Sequence, residues 1–166
     1  SSPIETYLRR IHAEIAELKD GKPYSNIPAM ANVDPNNFGI ALATADGYVY
    51  EVGDTREEFS IQSISKPFTY GLALADRGMD AVDAKVDVEP SGDSFNEISL
   101  AEGTGRPANA MINAGALTVH AMLDDDLVVR GFAAFAGRDL LVDEVVLASE
   151  LAEADLNTRR NIAQLD

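Results

Sequence analysis

The chain reads as an α+β fold: a β-hairpin with several helices packed on it, or one part of a larger mixed fold. Three observations lead there. Ile4, Tyr7, Leu8, Ile11, Ile15 and Leu18 recur at helical spacing. The apolar run Phe38-Gly39-Ile40-Ala41-Leu42-Ala43-Thr44 is followed by Ala45-Asp46-Gly47 and by Tyr48 to Val52, the order of strand, hairpin turn and return strand. A further apolar run from Pro67 to Ala75 reads as a helix that begins at or near Ser63 and reaches Arg77, where Gly78 ends it.

The first helix spans residues 3–19, and Lys19-Asp20-Gly21-Lys22-Pro23 stops it and opens a loop. The first strand, apolar on both faces, reads as buried. Residues 79–110 are loop-rich, punctuated by Pro90, Gly92, Gly103, Gly105 and Pro107. A second apolar helix is expected from about Asn113 to Leu123, and a third from Val142 through the end. Asp124-Asp125-Asp126 reads as a solvated loop. Neither an internal repeat nor a low-complexity tract appears. For 166 residues the length prior is a single domain, 1–166, and 46% apolar content supplies a core.

Charge narrows the partners. The net charge is −15, from 28 acidic and 13 basic residues, and no basic cluster is present to displace counterions, so nucleic acid is not an expected partner. No apolar run approaches the ~20 residues of a membrane span. Ser1 to Arg10 lacks the apolar core of a secretory leader, which makes cytoplasm the expected compartment. Cysteine is absent, excluding disulfides and thiolate metal sites. Only Lys19, Lys22, Lys66 and Lys85 are lysines; an acid-rich, lysine-poor surface suits solubility at high salt, or is simply an acidic surface with no special role.

Chemistry concentrates at Ser63-Ile64-Ser65-Lys66. Serine and lysine three residues apart on a helix share a face, with about 5–6 Å between Cβ atoms. Burial near a helix N-terminus favours a neutral lysine, because both desolvation and the positive dipole end disfavour the ammonium. A neutral amine can take the serine's proton and make the hydroxyl a nucleophile without a histidine, chemistry that suits amide cleavage. The four residues also fit a helix N-terminus capped by Ser63 with Lys66 solvated.

The neighbours of this motif decide more than the motif. Ile27-Pro28, Asp34-Pro35-Asn36-Asn37-Phe38-Gly39-Ile40-Ala41, Asp46-Gly47 and Gly53-Asp54 precede Phe59-Ser60-Ile61-Gln62-Ser63-Ile64-Ser65-Lys66-Pro67-Phe68. Glu89-Pro90-Ser91-Gly92-Asp93-Ser94-Phe95-Asn96, Pro107-Ala108-Asn109-Ala110-Met111-Ile112-Asn113-Ala114-Gly115-Ala116 and Ser149-Glu150 follow. From about residue 20 to 163 this ordered set closely resembles the serine-dependent glutaminases. The catalytic domain of that family is similar to the serine β-lactamases and penicillin-binding proteins. The resemblance therefore implies a β-lactamase/transpeptidase-like mixed sheet with surrounding helices, of which this chain holds the N-terminal half to two-thirds.

It also implies hydrolysis of L-glutamine to L-glutamate and ammonia, with no cofactor and no metal. Ser63 matches the family's nucleophile, which forms a γ-glutamyl ester, and Lys66 its general base. The Ser63 backbone N–H, at a helix N-terminus, is a sensible half of an oxyanion hole. Asn113 matches the substrate-binding asparagine; its amide offers the donor and acceptor that glutamine needs, although it also suits a helix N-cap. Glu150 matches the glutamate that receives the substrate's α-ammonium group, a natural ion partner, although composition alone makes it one more acid on an acidic helix. The family is commonly oligomeric, which implies self-association.

Three departures from the family pattern stand out. The family places Arg-Asn so that the asparagine lies seven residues after the glutamate; here that position is Asn157, preceded by Leu156. Arg160-Asn161, with Ile162-Ala163, fits the local motif better, eleven residues on. Positions seven and eleven lie about 40° apart on a helix, so Asn157 is preferred on spacing and Asn161 is the alternate. Asn26 stands where many members have tyrosine before Ile-Pro, with Tyr24 two residues earlier. Family domains are also about twice as long, and the remaining half supplies pocket tyrosines and the second oxyanion N–H. Loss of one such donor costs roughly 10²–10³ in rate, so these 166 residues alone are expected to catalyse poorly.

His12 lies beside the first helix's apolar stripe and His120 on the face of Asn113; neither has an acid at a telling spacing, and neither is given a role. No zinc or EF-hand spacing appears. The rival readings are a penicillin-binding or β-lactamase-type hydrolase and an inactive interaction module. Ser94-Phe95-Asn96 offers the first rival an S-x-N element, but the chain contains no Lys-Thr-Gly.

Overall fold

The computed structural model describes residues 2–25, 27–97 and 99–137. The helix expected from Val142 onward lies outside them. Two compact units divide the described chain, one ending at Ser60 and the other beginning at Ile61.

In the first unit, α1 (Pro3–Ile15) opens on Ser2, whose Oγ accepts the Glu5 N–H at 3.2 Å, with Pro3 at the start of the helix. Arg9 pairs with Glu5 one turn back at 2.6 Å and, as hydrogen-bond donor, holds the Glu5 carboxyl below its usual range. The helix ends four residues before the expected Lys19. Leu18 is 69% exposed, so a further turn would bury nothing there, and the chain closes instead on a Leu18 N–H to Ile15 carbonyl turn.

The hairpin forms as expected: β1 (Gly39–Ala43) pairs antiparallel with β2 (Val49–Gly53), in a register that sets Gly39 opposite Gly53 and Ala43 opposite Val49. Gly47, at φ +89°, donates its N–H to the Thr44 carbonyl at 2.9 Å and closes the turn. The buried character expected of β1 is not observed. Ile40 is half-buried opposite buried Val52, while Leu42 and Val49 are exposed. α1 packs on the hairpin, and among the described residues the sheet has only these two strands.

The Phe38-Gly39 and Gly53-Asp54 motifs lock this unit together. Asp54 Oδ2 accepts the Phe38 N–H at 2.9 Å, and the Asp54 N–H donates to the Phe38 carbonyl at 3.0 Å. His12 stacks on Phe38 with centroids 4.7 Å apart and its Nε2 lies 3.0 Å from the same carbonyl, a structural role in keeping with its lack of a catalytic assignment. Gly53 holds φ +76°, and a Cβ there would collide with the His12 ring and the Phe38 carbonyl.

The second unit is helical. A 3₁₀ turn over Gln62–Ile64 leads directly into α2 (Ser65–Arg77), which Gly78 ends at φ +82°. The expected loop over 79–110 contains a short helix, α3 (Met79–Asp83), that buries Val82. The rest of that stretch is extended chain and turns, with Asp87 and Glu89 donating backbone N–H groups to Pro107 and Ala108. Arg106 fastens it, bonding the carbonyls of Asp83 and Val86 and pairing with Asp87 at 3.5 Å.

α4 (Asn113–His120) is shorter than expected, its last residues passing into a turn that ends near Leu123. The acidic run is not a loop: Asp124 precedes α5 (Asp125–Ala136), and Asp125 and Asp126 occupy its first turn. Carboxylates there complement the positive end of the helix dipole. Gly131 brings α5 so close to α2 that a Cβ would overlap the Leu72 methyls. The core comprises Ala73, Val82, Val86, Ala110, Val119, Leu123 and Val128. No helix of the described residues is long and apolar enough to cross a membrane.

Gly53→Ala is expected to lower stability by about 1–3 kcal/mol through overpacking, in addition to its unfavourable φ. Chemical denaturation reads this directly, and an unchanged midpoint would refute the account of the Phe38 lock.

Candidate active site

Ser63 sits in the 3₁₀ turn that feeds α2, exposed, and Lys66 is the second residue of the helix. The residue before the serine, Gln62, holds φ +45°, the left-handed region that non-glycine residues rarely adopt. Backbone of this kind costs about 1–3 kcal/mol and clusters at functional positions. Nothing in the sequence signalled it. Ser65 donates its hydroxyl to the Gln62 carbonyl at 2.7 Å, whereas Ser63 Oγ has no hydrogen-bond partner among the described residues.

The half-buried Lys66 side chain reaches toward the start of α4. Its Nζ donates to Asn113 Oδ1 at 2.7 Å and to the Met111 carbonyl at 3.1 Å, and lies 5.4 Å from the centroid of the Phe95 ring. The capping reading of this region does not hold. The residue preceding α2 is Ile64, which makes no side-chain cap, and Lys66 is engaged rather than solvated. Asn113 does not cap α4 either: Ile112 precedes the helix, and Asn113 is its first residue with its side chain turned to the lysine.

Desolvation by burial holds the Lys66 amine below the usual lysine range. The two carbonyl-type acceptors and the aromatic face act the other way, favouring the ammonium. Burial prevails, which is the direction a lysine base requires.

Phe95 belongs to this cluster, and sequence reasoning noticed it only within the Ser94-Phe95-Asn96 triplet. Its carbonyl accepts the Asn113 N–H at 2.9 Å, and its ring is 62% exposed beside the amine. The aromatic-asparagine spacing carried no signal that the two would meet. Of the residues singled out in the sequence, Ser63, Lys66 and Asn113 are therefore gathered at the N-termini of α2 and α4. Glu150, Asn157 and Asn161 lie outside the described residues. His120 is half-exposed on α4, with Asp125 at 3.7 Å. Among the described residues no group of three or more acids and histidines could hold a metal ion.

Comparison with known proteins agrees with this α+β arrangement and with the resemblance seen in the sequence. The glutaminase family model matches residues 21–165, and the chain belongs to that family. A glutaminase of Corynebacterium glutamicum is 43% identical over 164 residues, covering 93% of this chain and 40% of the relative. One from Trichormus variabilis is 41% identical and covers 94% of this chain and 49% of the relative.

Among solved structures, Mglu in its tris and glutamate form is 46% identical with a TM-score of 0.86, over 93% of this chain and 36% of that one. A probable glutaminase from Bacillus subtilis, complexed with 6-diazo-5-oxo-L-norleucine, is 30% identical with a TM-score of 0.68, over 92% of this chain and 46% of that one. The fold is thus the β-lactamase-like α+β fold of the glutaminases. The chain spans about two fifths to one half of the length of the curated relatives it matches.

Because Lys66 binds its proton less tightly folded than unfolded, the unfolded state holds the extra proton between the lowered value and the ordinary one of 10.5. Stability conferred by this site is therefore present above that window and lost as pH falls through the folded value. Lys66→Met should remove this pH dependence in urea unfolding, measured as the wild-type-minus-variant difference. A difference that is flat with pH would refute a desolvated amine.

Proposed function

We propose that the protein hydrolyses L-glutamine to L-glutamate and ammonia through a serine nucleophile, Ser63, and a lysine base, Lys66. The observation that carries this reading is the amine with lowered basicity held against Asn113, one turn beyond a serine hydroxyl that has no partner among the described residues, in a chain of the glutaminase family. Rotation about the terminal bonds of Lys66 moves the neutral amine from Asn113 Oδ1 to Ser63 Oγ. It takes the hydroxyl proton as Oγ attacks the side-chain amide carbon. The proton then passes to the departing ammonia, leaving a γ-glutamyl ester that water cleaves to glutamate. The Ser63 backbone N–H steadies the negative oxygen of each tetrahedral intermediate.

Release of Asn113 Oδ1 from the amine frees that acceptor for the substrate, beside the Nδ2 donor of the same amide, which is why we assign Asn113 to binding. Glu150 is assigned to the α-ammonium group, and Asn157, with Asn161 as alternate, to a second polar contact. We treat residues 1–166 as part of one catalytic domain, acting in the cytoplasm as a homo-oligomer without cofactor. The chain's share of its relatives' length makes the activity a property of the whole protein.

The sequence carries a net charge of −15, and Mglu has been solved in the presence of 4.3 M NaCl. Both support activity at high salt. A hydrated acidic surface loses little when its charges are screened. Molar NaCl should therefore leave most of the activity, and collapse at moderate salt would refute this.

In the full-length protein, Ser63→Ala should abolish ammonia release from glutamine without loss of fold. Lys66→Ala should lower kcat by about 10²–10⁴, the range of a general base. Nitrocefin hydrolysis in place of glutamine hydrolysis would favour the β-lactamase-type rival. A folded protein with neither activity would favour an interaction module.

A further inference from the structure

The Lys66 amine is held by a peptide turn, and that turn is itself built on one side chain. Asn109 Oδ1 accepts the N–H of Met111 at 3.0 Å and of Ile112 at 3.2 Å, closing the chain around the amide. Its Nδ2 donates to the Glu89 carbonyl at 2.8 Å, tying the turn to the extended stretch before Pro90. The same turn presents the Met111 carbonyl to Lys66 at 3.1 Å and leads straight into Asn113, whose Oδ1 receives the amine at 2.7 Å. Behind it, Gly115 brings α4 so near the Asn109 carbonyl that a Cβ would overlap it, which keeps the turn from relaxing toward the helix.

We propose that Asn109 is a positioning residue for the lysine base: by fixing the Met111–Ile112 amides it sets where the Met111 carbonyl and Asn113 hold the Lys66 amine. An amide is suited to this because one side chain supplies both the acceptor for two N–H groups and the donor that anchors it. Leucine at this position has similar size and neither function. Aspartate keeps the acceptor for both N–H groups but loses the donor to Glu89 and sets a carboxylate oxygen against that carbonyl. A base displaced by about 1 Å can cost roughly 10² in rate, while substrate binding through other groups is little affected.

The inference rests on the reading of Lys66 as the base, and the experiment separates the two. In the full-length protein, Asn109→Leu should lower kcat for glutamine about 10–100-fold with KM within about 3-fold. Asn109→Asp should retain several-fold more kcat than Asn109→Leu, since the acceptor for both amides remains. Equal losses in both variants, or an unchanged kcat in Asn109→Leu, would overturn the proposal.

Should Asn109→Leu fail to fold, Asn109→Ser carries the test. Its shorter hydroxyl cannot span both amides and the Glu89 carbonyl, and its kcat should fall below that of Asn109→Asp. A wild type that releases no ammonia defeats the glutaminase reading instead. Asn109 is then decided by NMR: the Lys66 Hε and Asn113 side-chain amide signals should shift in the folded variant and stay near wild type in Asn109→Asp. Unshifted signals overturn it.

Discussion

A single partly desolvated amine organises the candidate site. Lys66 lies across the gap between the N-termini of α2 and α4, with Asn113 Oδ1 and the Met111 carbonyl as acceptors and the Phe95 ring beside it. Removing water from an ammonium is unfavourable, and the acceptors return only part of that loss, so the amine sits below the ordinary lysine range. The packing of α2 against α4, rather than any local propensity, creates this balance. The same close packing demands small residues: Gly115 beside the Asn109 carbonyl, Ala73 in the core, and Gly131 where α5 meets α2.

The family motifs resolve into two physical kinds. Phe38-Gly39 and Gly53-Asp54 are architectural, a mutual backbone clamp that accommodates His12 and leaves no room for a Cβ at either glycine. Ser63-Ile64-Ser65-Lys66 and Asn109-Ala110-Met111-Ile112-Asn113 meet at Lys66 and Asn113. Glu89 and Phe95, from the segment between them, contribute backbone carbonyls to the second of these motifs. A residue can thus belong to a motif through its peptide group alone, which side-chain chemistry read from a sequence does not detect.

Legibility differed by element for reasons that can be named. α1, the hairpin and α2 were readable because apolar spacing, Asp46-Gly47 and Gly78 are local signals that the fold leaves in force. α5 was missed: Asp124-Asp125-Asp126 read as a solvated loop, whereas burial on α2 together with the dipole at its N-terminus favours a helix. The buried character expected for β1 failed because apolar composition does not say which layers cover a strand.

Sequence alone established the α+β class, the family, and Ser63, Lys66 and Asn113 as the residues to watch, since ordered motifs persist without coordinates. Tertiary structure decided that Lys66 and Asn113 touch, that neither Ser63 nor Asn113 is spent as a helix cap, and that Phe95 and Asn109 belong with them. Contacts between residues 47 positions apart depend on how helices pack. Packing is set by the sum of many burial contacts, none of which a spacing rule along one chain can encode.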